Sequence, residues 1–222
     1  MNSFTFSFPC VHPTFSSRTV PQTRVGRSRD GKLHDMKAPD PDAIDAVIAS
    51  RRTCLRMEPD TPVDPTVIGQ LCRLATWAPN HHRTQPWRFA AFTGDGRRDL
   101  GDTIASVMSS RSMPAEKVAK TRLKYLRAPA MLLVGAAPGV NELETAENRD
   151  AVAAAVQIIL LAATARGLGS FWSSVATPTA TALLELCGFE AGTNVIAAIY
   201  LGHPTGECPP PDRDGPRVRW IG

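Results

Sequence analysis

No apolar run in this sequence reaches the ~18 residues that a membrane-spanning helix requires, so no membrane partner is predicted and the chain reads as soluble. Cysteine is sparse and poorly spaced for metal or disulfide chemistry. Cys10, Cys54, Cys72, Cys187 and Cys208 form neither a C-x-x-C pair nor a finger pattern. A scattered, odd-numbered set in a chain of 222 residues predicts reduced thiols and a cytoplasmic setting. Internal repeats are lacking, and so is any carboxylate pair or triad that would announce acid–base or covalent catalysis. A basic folded part is missing too. Of the net charge of +4, segment 1–36 holds +3, from Arg18, Arg24, Arg27, Arg29 and Lys32 against Asp30 and Asp35. A nucleic-acid binder carries its basic excess on a folded face, so no nucleic-acid partner is predicted.

What is present fits one domain with a sizeable core plus a tail, at 43% hydrophobic and 21% charged residues. Residues 1–38 are rich in Ser, Thr, Pro and Arg, hold no acid before Asp30, and show no periodicity. Such a segment buries too little apolar surface to offset its ordering entropy, so a disordered or non-native tail is expected. Its composition also resembles a transit peptide, and Met36 offers an alternative start. The folded domain is placed at 39–205 and an extended arm, with Pro209, Pro210 and Pro211, at 206–222.

Within the domain, Asp40-Pro41 and Asp64-Pro65 are helix starts, a capping carboxylate followed by proline at the first helical position. Ile44, Val47 and Ile48 stripe the first helix, and Val67, Ile68, Leu71, Leu74 and Ala75 the second. Strands are predicted over Trp87–Thr93, Ala130–Ala137, Ser170–Val175 and Asn194–Leu201. Further helices are predicted over Arg98–Ser109, Pro114–Leu126 and Pro178–Cys187, with the longest over Glu144–Arg166. The middle of that longest helix, A-V-A-A-A-V-Q-I-I-L-L-A-A, is apolar nearly all round, which predicts burial against the core and a second subunit. Its Gln157 serves that interface or is a satisfied buried amide.

Polar chemistry concentrates in T-W-A-P-N-H-H-R-T-Q-P-W-R-F, Thr76–Phe89, a helix-to-strand connection flanked by Trp77 and Trp87. Apolar walls with a few fixed polar groups suit a flat, heteroatom-rich ligand, while a solvated loop with aromatic anchors fits equally. Pro86 biases Gln85 towards extended backbone. His81 and His82 lack a third metal ligand, and adjacent side chains are expected to diverge, so no metal is predicted. Arg51 and Arg52 followed by Thr53 make a reasonable phosphate clamp, because guanidinium groups grip phosphate bidentately and the hydroxyl adds a directional donor. Cys54 beside them reads as a small packed residue without a redox role.

Four motifs in order and spacing resemble the FMN-dependent nitroreductase family, nearest its compact branch of NAD(P)H nitroreductases. They are S-R-R-T-C-L-R, W-A-P-N-H-H-R-T-Q-P-W-R-F, A-A-T-A-R-G-L-G-S-F-W and V-I-A-A-I-Y-L-G-H-P. The resemblance spans about residues 40–205 and implies an α+β fold with a mostly antiparallel sheet, and an intertwined homodimer with FMN at the subunit interface. It implies that Arg51, Arg52 and Thr53 hold the FMN phosphate and ribityl chain. Trp77 and His81 would reach the flavin from the partner, Gln85 stands at the family's Gln-Pro-Trp, and Trp172, Ser173 and Ser174 would line the flavin. Arg166 and Gly167 are carried as nicotinamide contacts. Arg56 comes one residue later than the family's next arginine, and Met57 replaces an aromatic. The implied activity is ping-pong hydride transfer from NADH or NADPH through FMN to nitroaromatic, quinone or similar acceptors, with no protein side chain as catalyst. The alternative is a flavin-binding or storage protein that admits no nicotinamide.

Overall fold

A computed structural model describes residues 40–222. The expected tail, 1–38, lies outside the described residues. Both predicted helix starts are made as the sequence directs. Asp40 Oδ1 accepts from the Asp42 amide at 3.0 Å at the head of α1 (Pro41–Ser50), and Asp64 Oδ1 from the Thr66 amide at 2.7 Å at the head of α2 (Pro65–Ala75). There follow β1 (Trp87–Thr93), α3 (Gly96–Ser110), α4 (Ala115–Lys124), β2 (Ala130–Ala136), α5 (Glu142–Thr164), β3 (Gly169–Ser173), α6 (Thr181–Cys187) and β4 (Asn194–Gly202). Short 3₁₀ turns cover His81–Arg83 and Tyr125–Arg127.

The four strands form one antiparallel sheet in the order β1-β2-β4-β3. The continuous apolar run of β2 is explained by burial of all seven of its residues. Leu132, Val134 and Ala136 face one layer, where α2 and α5 pack with Ile68, Leu71, Val156 and Ile159. Met131 and Leu133 face the other, filled by Leu100, Ile104 and Met108 of α3, with Tyr125 and Leu183. Fully burying each such aliphatic side chain stabilises by about 1.5–3 kcal/mol, which is why the sheet is closed on both faces.

The β2–β4 register shifts between Val134 and Gly135, so that Ile196 is the extra residue of a bulge. Gly135 is required there, because a Cβ would come to 2.7 Å from Thr193 Cγ2. One apolar face stays uncovered within one chain. α1 buries none of its residues, and its Ile44 and Ile48 are 48% and 51% exposed. With Leu74 of α2 and Ile158, Leu161 and Ala162 of α5 they line an apolar groove of about 460 Å³.

Candidate functional site

The R-R-T segment leaves α1 in extended conformation, with Arg51 at φ −60°, ψ 127°. Thr53 then forms a parallel bridge with Ser170, and the Cys54 amide donates to the Ser170 carbonyl at 2.9 Å. The segment is thereby an addition to the free edge of β3, which carries Trp172 and Ser173, with Ser174 directly after. Arg52 Nη1 donates to the Ala49 and Arg51 carbonyls at 2.5 and 3.0 Å, and its remaining donors are unspent. The Arg51 guanidinium has no acceptor among the described residues. Both arginines are half-buried and line a cavity of about 610 Å³ with Gln157, Pro210, Pro211 and Arg213. Ser170, whose backbone pairs with the segment, is 2% exposed, and its hydroxyl has no hydrogen-bond partner. Forked cationic donors with free valences suit a phosphate-bearing ligand.

Three sequence readings are corrected, two in the Thr76–Phe89 connection and one on α5. Gln85 is not extended: its φ is +53°, and the Asn80 side-chain oxygen accepts its amide at 3.0 Å, which outweighs the bias from Pro86. His81 and His82 do not diverge. Their ring centroids lie 3.9 Å apart at 32°, because His82 takes a φ of +51°. Gln157 is exposed, which removes the buried-amide alternative. Three non-glycine residues, His82, Arg83 and Gln85, take positive φ within four positions. Each costs of order 1–3 kcal/mol, so surrounding contacts must hold the loop.

Those contacts come from α5. His81 Nδ1 lies 2.8 Å from Glu147 Oε2, and Thr84 Oγ1 donates to Asn148 Oδ1 at 2.7 Å. Buried Asn148, 3% exposed, also donates to the Ala137 carbonyl at 3.2 Å. A carboxylate only accepts, so Nδ1 carries a proton and donates it towards Glu147.

Trp77 is 79% exposed, whereas Trp87 is buried in the core. Trp172 is 40% exposed, and its indole donates to the Ile196 carbonyl at 3.4 Å, the bulge residue of β4. Arg166 lines the apolar groove and donates to the Ala162 carbonyl at 2.9 Å, and Gly167 turns the chain at φ +70°. Neither lines the Arg51–Arg52 cavity. Nor do Trp77, His81 or Gln85. Glu147, which holds His81, and Gln157, which faces the clamp, are ten residues apart on α5, about 15 Å along the helix. Arg213 had no sequence signal, because the arm has no periodicity. Glu147 was hidden among the polar residues that open α5.

Elsewhere on the surface, Arg88 grips Glu190 through Nε and Nη2, and this hydrogen bonding holds the Glu190 carboxyl below its usual range. Among the described residues no cluster of three or more His, Cys, Asp or Glu could hold a metal, and no helix is long and apolar enough to cross a membrane.

Comparison with known proteins gives one family. YfhC of Bacillus subtilis, provisionally named an NAD(P)H nitroreductase, is 29% identical over 161 residues, covering 71% of this chain and 82% of its own. The 5,6-dimethylbenzimidazole synthase of Rhodospirillum rubrum is 31% identical over 194 residues, covering 81% and 89%. A solved structure from Desulfovibrio desulfuricans, also provisionally named a nitroreductase and in complex with FMN, has TM-score 0.60 at 26% identity, covering 79% and 92%. The model of the Nitroreductase family matches residues 48–203, which takes in the R-R-T segment, the histidine loop and all four strands, and the chain belongs to the nitroreductase family.

Proposed function

We propose that this chain is an FMN-dependent oxidoreductase that uses NADH or NADPH to reduce electron-poor acceptors such as nitroaromatics and quinones. The observation that carries the reading is the convergence of Arg51, Arg52 and Arg213 on one cavity. In this reading the guanidinium forks hold the FMN phosphate and Thr53 adds a hydroxyl donor. Trp172, fixed through Ile196, offers a flat apolar wall, with Ser173 and Ser174 as polar neighbours. FMN when bound supplies the relay of two electrons between donor and acceptor, in ping-pong order, and the protein supplies orientation and electrostatics.

The site is shared between two copies. Within one chain the histidine loop and the arginine clamp are separated by about 15 Å of α5, so Trp77 and His81 serve the flavin of a second chain. The groove with exposed Ile44 and Ile48 is covered by that same partner. A cytoplasmic enzyme is the natural setting for these free thiols.

Charge-assisted hydrogen bonds are worth about 1.5–3 kcal/mol, so Arg51→Ala should weaken FMN roughly 10-fold or more in a fluorescence titration. Unchanged affinity removes the clamp. A second reading is favoured by the 31% identity to the Rhodospirillum rubrum enzyme: the chain forms 5,6-dimethylbenzimidazole. Appearance of that compound, without turnover of nitroaromatics or quinones, selects it.

A further inference from the structure

The segment that carries the clamp is held from both sides. On one side Cys54 is hydrogen-bonded to β3 through Ser170. On the other, the Glu58 amide donates to the His203 carbonyl at 2.9 Å, the Thr205 amide donates to the Arg56 carbonyl at 3.1 Å, and Met57 bridges Pro204 antiparallel. Just beyond this pairing, Gly206 turns the arm at φ +95°. Two thiols flank it, Cys54 on the inner strand and Cys208 on the arm, and both pack into one apolar cluster. Past Thr205 no backbone–backbone hydrogen bond among the described residues holds the arm. Yet the arm's Pro210, Pro211 and Arg213 line the arginine cavity.

We propose that Cys54 and Cys208 form a reversible disulfide that clips the C-terminal arm to the R-R-T segment, with a peroxide as the oxidant. Cys208 is half-buried on the arm and can meet a small oxidant, whereas Cys54 is 3% exposed, with Sγ 3.1 Å from the Arg56 carbonyl. The Cys208 thiolate attacks one peroxide oxygen. The O–O bond breaks, water leaves after proton transfer, and a sulfenic acid remains. Cys54 sulfur then attacks that sulfur, the S–O bond breaks, and a second water leaves. Two thiols and one hydrogen peroxide thus become a disulfide and two waters.

The order of attack agrees with the thiols' surroundings. Burial pushes the Cys54 thiol up, and the neighbouring Cys208 thiol pushes it further, so Cys54 is not the thiol that meets the peroxide first. The competing thiols are less able to react. Burial raises Cys187 to about 12 and Cys72 to about 11, and Cys72 packs on the opposite face of the sheet. The two partners stand far apart in sequence, which is why the chain alone gave Cys54 no redox role. The bond itself stands on this geometry. Its consequence, Arg213 held at the cavity so that ligand release slows, rests on the FMN reading.

The experiment treats the full reduced chain with hydrogen peroxide, alkylates remaining thiols and digests with trypsin without reductant. The expected product links peptide Thr53–Arg56 to peptide Gly167–Arg213, is reversed by dithiothreitol, persists in C187S and vanishes in C208S. FMN release should be several-fold slower from the oxidised than from the reduced protein, with no such difference in C208S. Alkylation of both thiols after peroxide, or a link that requires Cys187, overturns the proposal. A correct link without change in release overturns the arm's hold on the cavity. A correct link in a protein that never binds FMN overturns only the flavin reading.

Discussion

Gly169→Ala should weaken flavin binding although Gly169 does not line the arginine cavity. A Cβ at this position comes to 2.8 Å from Cys54 Sγ, 3.1 Å from Cys54 Cβ and 3.5 Å from the Gly202 carbonyl oxygen. Optimal carbon contacts are about 3.5–4.0 Å, so the first two are repulsive. Cys54 is buried and cannot swing into solvent, so residues 53–55 must shift away from β3. That shift strains the Cys54–Ser170 backbone hydrogen bond. Overpacking costs about 1–3 kcal/mol and the hydrogen bond about 1 more, so a loss of about 2–4 kcal/mol is expected. Cys54→Ala removes Sγ, and the pair G169A/C54A should therefore recover about 1–2 kcal/mol relative to the sum of the single losses. Urea unfolding of the four proteins gives the cycle, and FMN titration of each gives the functional counterpart. Strict additivity in the cycle, or full FMN affinity in a destabilised G169A, would refute the view that β3 positions the clamp.

Asn148→Ala leaves Thr84 and the Ala137 carbonyl without their buried partner, so stability should fall by about 1–3 kcal/mol, and tryptic cleavage after Arg83 should accelerate. Ile48→Asp places a charge in the apolar groove, and sedimentation should then report a monomer with little FMN, whereas the unaltered chain is expected to sediment as a dimer. Arg88→Met probes Glu190, whose carboxyl is held below its ordinary 4.5, chiefly by hydrogen bonding to Arg88. A depressed carboxyl contributes stability above the unfolded value and loses it as pH falls through the folded value. The pair is over a third exposed, so the variant should lose only about 0.2–1 kcal/mol near pH 7, and nothing near pH 2.

Local signals carried most of the fold. Capping carboxylates before Pro41 and Pro65 placed two helix starts to the residue, and the β1 range Trp87–Thr93 matches its prediction. β2 ends at Ala136, one residue short of its prediction. The third strand runs Gly169–Ser173 where Ser170–Val175 was expected, since pairing with β4 ends at Ala198. Features set by distant partners were illegible. The Ile196 bulge lies opposite Gly135, which packs against Thr193, and no period in N-V-I-A announces it. The left-handed residues of the histidine loop are held by Asn80, Glu147 and Asn148, which overrode the local preference of a residue before proline. The R-R-T motif was visible, but the third arginine comes from an arm without pattern.

The strand order β1-β2-β4-β3 sets a timetable for synthesis. The R-R-T segment is among the first described residues to leave the ribosome, while its backbone partners Ser170, His203 and Thr205 are among the last. β3 itself reaches the sheet only through β4, so nothing can dock beside Ser170 until the final strand has inserted between β2 and β3. A nascent chain halted before β4 therefore displays two arginines but no cavity. A ligand gripped by Arg51, Arg52 and Arg213 binds only the finished molecule, and by mass action it draws late folding intermediates towards completion.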